Sequence, residues 1–164
     1  MWTKFIYLAP AFALLFTPLA SAQWVLTNGL YGGSVSRFVV SGTNLFAGTY
    51  GGVFRSTDSG TSWTAFNNGL TSTYVLALAV SGTDLFAGTN GGGVCRSTNN
   101  GECWTIANTG LPGGYTIVVS LAVSSTKLFA GTNSGGVFLF TNSGSNWTEA
   151  NTGLSNRYVR ALAV

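Results

Sequence analysis

A tryptophan-centred phrase recurs four times and sets the limits on what this chain can fold into. It reads Trp24-Val-Leu-Thr-Asn-Gly-Leu, Trp63-Thr-Ala-Phe-Asn-Asn-Gly-Leu, Trp104-Thr-Ile-Ala-Asn-Thr-Gly-Leu and Trp147-Thr-Glu-Ala-Asn-Thr-Gly-Leu, with the tryptophans 39, 41 and 43 residues apart. Between them Leu-Phe-Ala-Gly-Thr recurs at Leu45–Thr49, Leu85–Thr89 and Leu128–Thr132. A period near forty residues marks stacked supersecondary units, each too small to bury a core alone. Function is therefore sought in what differs between copies.

The second copy reads most clearly as strands. Tyr74–Val80 is a β-rich apolar run suited to a strand buried on both faces. Ser81–Asp84 is a turn cluster, Leu85–Thr89 the next strand, and Asn90–Gly92 a second turn. Gly93–Ser97 is a third strand, and Thr98–Gly101 turns into a fourth over Cys103–Ala107. Short strands joined by Gly, Asn and Ser make an antiparallel meander. Four strands per unit at this period predict an all-β protein, a β-propeller of four-stranded antiparallel blades. A β-solenoid is the alternative, disfavoured by the meander turns.

The expected blades are approximately 30–69, 70–110 and 111–153. A partial blade follows at 154–164, with a first strand over Tyr158–Val164, and Trp24–Asn28 supplies a last strand. About three and a half blades form an incomplete ring, and the open strand edges are expected to promote association.

The first 22 residues read as a signal peptide. Lys4 is the charged region, Phe5–Phe16 the apolar region and Ala20-Ser21-Ala22 a small-residue cleavage site. The expected mature domain is 23–164, exported to the periplasm or the extracellular space, with no membrane span. Charged residues make up 7% of the chain. They are too few and too scattered for a nucleic-acid footprint, which needs clustered Lys and Arg.

Ser56-Thr-Asp58-Ser-Gly60-Thr-Ser-Trp63 carries the pattern S-x-D-x-G-x-x-W. The chain here resembles the Asp-box (bacterial neuraminidase, BNR) repeats of sialidase-like propellers, related to sortilin-type, xyloglucanase and photosystem-assembly-factor-like propellers. The second copy substitutes Ser97, Asn99, Gly101 and Trp104, and the third Phe140, Asn142, Gly144 and Trp147. A second resemblance, through Gly153–Leu162 and the Ala-Gly-Thr segments, is to the propellers of periplasmic two-component sensors. The motif's physics is structural: Asp or Asn closes an Asx-turn, Gly takes positive φ, and Trp packs an apolar face. Asn in place of Asp keeps the acceptor and loses the charge, which a turn tolerates and an acid–base residue would not.

Chemistry is thin elsewhere. The chain has no histidine, which removes the commonest general base and most metal sites, so neither metal nor cofactor is expected. Glycosidases need paired carboxylates, and Asp58, Asp84, Glu102 and Glu149 fall on different loops and edges of the meander. No catalytic residue is assigned. Cys95 and Cys103 flank the second Asp-box turn, and in an exported chain the pair predicts a disulfide.

Tyr31, Tyr50 and Tyr115 fall where the copies diverge, in turns and connections sharing one face of the expected ring. They are the candidate ligand contacts. The expected function is an exported, non-catalytic binding or scaffold module for an extracytoplasmic protein or glycan. The alternatives are a fragment of a sialidase-like or xyloglucanase-like hydrolase, and a periplasmic sensor or assembly-factor propeller.

Overall fold

The computed structural model describes residues 29–141 and 146–164. The expected leader Met1–Ala22, the strand Trp24–Asn28 and the turn residues Asn142 and Gly144 lie outside the described residues.

Among the described residues, twelve strands form three four-stranded antiparallel sheets in meander order. The first holds β1 (Val35–Ser41), β2 (Asn44–Thr49), β3 (Gly52–Ser56) and β4 (Thr64–Ala65). The second holds β5 (Val75–Ser81), β6 (Asp84–Thr89), β7 (Gly93–Ser97) and β8 (Thr105–Ile106). The third holds β9 (Val118–Ser124), β10 (Lys127–Thr132), β11 (Val137–Thr141) and β12 (Trp147–Glu149). Among the described residues no helix is long and apolar enough to cross a membrane.

Each sheet opens with a hairpin whose two-residue turn begins at positive φ, at Gly42 (59°), Gly82 (61°) and Ser125 (55°). Such turns match the twist of the flanking strands. A bulge at the start of β1, β5 and β9 interrupts the register at the same place each time. Antiparallel order puts the β1–β2 and β3–β4 loops at one end of a sheet. The β2–β3 turn and the connection to the next sheet lie at the other.

The core lies between sheets. Phe46 and Val53 of the first pack with Val75, Leu78 and Leu85 of the second. Phe86 and Val94 of the second pack with Val118, Leu128 and Phe138 of the third. Burying one such side chain contributes about 1.5–3 kcal/mol relative to exposure. The second-strand glycines make the stacking possible. A Cβ at Gly48 or Gly88 would meet Val75 Cγ1 or Val118 Cγ1 of the next sheet at 2.8 and 2.7 Å.

Two expectations are corrected. Cys95 and Cys103 are free thiols, the first buried and the second exposed. The register sets Cys95 opposite Ile106, while Cys103 precedes that strand. Cys95 packs in the interface with the first sheet, its sulfur 3.2 Å from Thr71 Oγ1. The predicted disulfide is therefore not formed. The second correction concerns Tyr158–Val164, which forms no strand because no second strand pairs with it among the described residues.

Candidate functional site

The two ends of the sheets differ in kind, beginning with the Asp-box turns. The Ser56 hydroxyl donates to Asp58 Oδ1 at 2.8 Å and accepts the Gly60 N–H at 2.8 Å. Asp58 also accepts the Ser62 N–H at 2.9 Å and the Ser62 hydroxyl at 2.6 Å. The Ser62 hydroxyl foremost, then the Ser62 N–H and the Ser56 hydroxyl, hold the Asp58 carboxyl down at about 2. In the second sheet Ser97 donates to Asn99 Oδ1 at 2.8 Å, and Asn99 accepts the Cys103 N–H at 3.0 Å. The same turn forms with and without the charge.

The tryptophans staple neighbouring sheets. The Trp104 indole N–H donates to the Phe66 carbonyl at 2.9 Å, and that of Trp147 to the Ala107 carbonyl at 2.7 Å. The Trp63 indole instead donates to Gly60 within its own turn, at 3.1 Å.

The remaining acids are engaged or dispersed. Asp84 pairs with Arg96, whose Nε donates to Asp84 Oδ2 at 2.8 Å. Arg55 holds the same strand position, and Asn44 stands where the second sheet has Asp84. Arg55 lies over the Phe66 ring and donates to the Asn100 carbonyl of the next sheet at 3.2 Å. Glu149 accepts from Asn151 at 3.3 Å and Arg157 at 3.2 Å, bonds that hold its carboxyl below the ordinary range, Asn151 foremost. Glu102 is exposed. Among the described residues no three His, Cys, Asp or Glu converge as metal ligands. A cleft of about 460 Å³ opens on this end, lined by neutral groups such as Thr43, Asn44, Thr83, Thr98 and Asn100. It can offer hydrogen bonds but no acid or base.

The opposite end has a repeated frame bearing unlike side chains. Asn67, Asn108 and Asn151 each accept a β3-type strand N–H, from Val53, Val94 and Val137, at 2.8, 2.7 and 2.7 Å. Their amides donate to the carbonyls of Gly51, Gly92 and Gly135 at 3.2, 2.9 and 3.0 Å. These asparagines clamp the turn after the second strand. Sequence reasoning missed their role, although Asn recurs four residues after Trp63, Trp104 and Trp147.

The three candidate tyrosines fall in three different segments, of which only that of Tyr50 is a clamped turn. Tyr31 lies in the chain entering β1 and is 86% exposed, and Tyr50 lies in the β2–β3 turn, 47% exposed. Tyr115 lies in the connection to β9, 72% exposed. Tyr50 is brought to Tyr74, ring centroids 4.1 Å apart and edge-on. Side-chain hydrogen bonding with Tyr50, together with lost hydration, pushes the Tyr74 phenol up. The Tyr115 hydroxyl donates to Asn90 Oδ1 at 3.0 Å, and its ring lies over Gly91, where any Cβ would collide with it. Tyr158, with the Arg160 guanidinium 5.2 Å above its ring, extends the aromatic set.

No family model matches the chain, and no curated relative does. Solved structures do. An ancestral GH74 enzyme aligns at TM-score 0.59 and 22% identity over 77% of this chain and 19% of its own. The extracellular domain of BT4673 from B. thetaiotaomicron aligns at TM-score 0.65 and 17% identity over 82% and 19%. PorZ, a surface component of the type-IX secretion system of Porphyromonas gingivalis, aligns at TM-score 0.60 and 14% identity over 79% and 23%. The chain spans about a fifth of the length of each. At these identities the likeness shows the fold, and the fold is that of a β-propeller, here as three successive blades.

Proposed function

We propose that the chain is an exported, non-catalytic propeller module that binds a protein or a glycan. Its site is the end bearing Tyr31, Tyr50 and Tyr115. The observation that carries this reading is the exposure of three rings at one end of the sheets, at positions where the copies differ, with Tyr50 in a turn that Asn67 clamps. Rigid aromatic groups present large contact area at low ordering cost, which suits sugar faces and protein hot spots alike. The propeller neighbours from a cell surface and an extracellular domain support an extracytoplasmic setting. At the other end Asp58 is committed to its own turn, and Asn99 does the same work uncharged.

Glycan arrays and envelope-protein panels probed with the wild type, the triple Tyr→Ala variant and Asp58→Asn test this reading. Binding should survive Asp58→Asn and fall at least about tenfold in the triple variant, since losing an anchor costs about 2 kcal/mol or more. Binding or hydrolysis abolished by Asp58→Asn and indifferent to the tyrosines would overturn it.

A further inference from the structure

Each strand position in a repeat can be judged against its counterparts. Arg55 of β3 corresponds to Arg96 of β7 and Leu139 of β11. Arg96 gives its Nε and Nη2 donors to the Asp84 carboxylate, so its charge is matched inside the chain. Arg55 has Asn44 at the place of Asp84, and among the described residues no carboxylate lies within ion-pair distance of it. A second difference falls in the same copy, where Phe66 stands in place of Ala107 and Ala150. The Arg55 guanidinium lies 3.8 Å over the Phe66 ring, and its Nη1 donates to the Asn100 carbonyl. The ring and that one bond hold the planar group in a fixed orientation. Its Nε and Nη2, the pair that Arg96 uses on an acid, make no hydrogen bond within the protein among the described residues.

This guanidinium lines a pocket of about 200 Å³ together with Thr57, Ser62, Thr64 and Phe66. The hydroxyls of Thr105 and Thr148 turn back onto the Arg96 and Leu139 carbonyls, at 3.2 and 3.3 Å. Thr64 makes no matching bond to Arg55, which leaves its hydroxyl to the pocket. Asp58, the acid nearest in the chain, is directed into its own turn by Ser56 and Ser62. The pocket also meets the larger cleft at the same end of the sheets. Asn100, whose carbonyl takes the Arg55 N–H, lines that cleft with Asn44, Thr43, Thr83 and Thr98.

We propose that Arg55 is the anion anchor of a second binding site, at the Asp-box end, that takes a carboxylate-bearing sugar. A guanidinium fixed over a ring with two donors to spare fits a carboxylate, and Arg96 makes that pairing with Asp84 inside the chain. The neutral hydroxyls and amides of the adjoining cleft match the hydroxyls of a sugar. No apolar side chain lines that cleft to anchor a peptide. The site stands apart from the tyrosine end and rests on different residues.

Titration calorimetry of the whole chain with trigalacturonate tests this, with maltotriose as the neutral probe and triglutamate as the peptide probe. The wild type should bind trigalacturonate at least about tenfold more tightly than either, as one charge-assisted hydrogen bond to a well-placed acid provides. Arg55→Gln should remove that margin. Asn44→Asp, which supplies the acid of the second sheet and keeps Arg55, should remove it too, and thermal melting confirms that each variant is folded. Lys127→Gln takes one charge from an exposed side chain and should leave the affinity as in the wild type. Absence of trigalacturonate binding, or wild-type affinity in either Arg55→Gln or Asn44→Asp, would overturn the proposal. Equal weakening by Lys127→Gln would reduce the attraction to net charge and overturn it as well. Triglutamate binding as tightly as trigalacturonate would overturn the assignment to a sugar.

Discussion

The two ends of these sheets are built by opposite rules. At the Asp-box end the side-chain chemistry is interchangeable and the bonds are constant: Asp58 and Asn99 both accept from the residue four further on, and both take a hydroxyl from the preceding serine. At the other end asparagine recurs without change as the clamp, while the turns it holds carry Tyr50 in one copy and Asn90 in the next. In a repeat protein, a position that keeps its bonds while changing its chemistry is serving the fold. One that sits on a fixed frame and changes its side chain is free to serve a ligand.

The clamp gives the largest test of that contrast. Asn108→Ala orphans the Val94 N–H, whose residue is fully buried, and takes the donor from the Gly92 carbonyl. An unsatisfied buried group costs about 1–3 kcal/mol. The denaturation midpoint should fall accordingly, and Asn108→Asp, which keeps the acceptor, should fall less. Equal losses for Ala and Asp would show that packing, rather than the clamp bonds, holds the turn.

At the Asp-box end the expected effect is smaller and appears in acid. The folded-state value of Asp58 is about 2 against an ordinary 3.8, so its contribution is complete above about 3.8 and is lost as pH falls through about 2. Glu149 is also lowered and acts with the same sign, so the comparison belongs in a Glu149→Gln background. There, Asp58→Asn should flatten the decline in stability between about pH 4 and 2 while leaving the neutral-pH midpoint close to that of Asp58. A decline that is unchanged would mean that the carboxylate's bonds with Ser62 persist after unfolding or never mattered.

Much of this frame was legible in the sequence, because apolar runs bounded by Gly, Asn and Ser leave few choices for where strands start and stop. Tyr74–Val80 and Leu85–Thr89 fall within a residue of β5 and β6. The cysteine pairing was not legible, since it depends on register and β8 is only two residues long. Nor was the split between Arg55 and Arg96, equivalent in strand position: Arg96 reaches Asp84, while in the first sheet, with Asn44 at that place in the repeat, Arg55 reaches the Asn100 carbonyl of the next sheet. The clamp asparagines left a plain signal in the repeat phrase. Their task was hidden because it joins Asn67 to a turn 16 residues upstream, a separation no local pattern encodes.

The smallest expected effect separates a ligand-facing side chain from a framework one. Tyr74 meets Tyr50 edge-on, and hydrogen bonding between them is the foremost reason that the Tyr74 phenol is raised above its ordinary 10.0. Tyr50→Phe keeps the ring contact and removes that bond, so the Tyr74 midpoint, followed by phenolate absorbance, should move back down toward 10.0. A raised phenol contributes stability that is present below its ordinary value and lost as pH rises through the folded one, so at neutral pH Tyr50→Phe gives up the pair's full contribution. Because Tyr74 is linked to the backbone clamp only through its own carbonyl, which accepts the Asn90 N–H at 2.9 Å, the turn should keep its geometry. The titration should therefore move while amide-exchange protection at Val94 and Val53 stays as in the wild type. Loss of that protection would make Tyr50 part of the frame, and the contrast between the two ends would no longer hold.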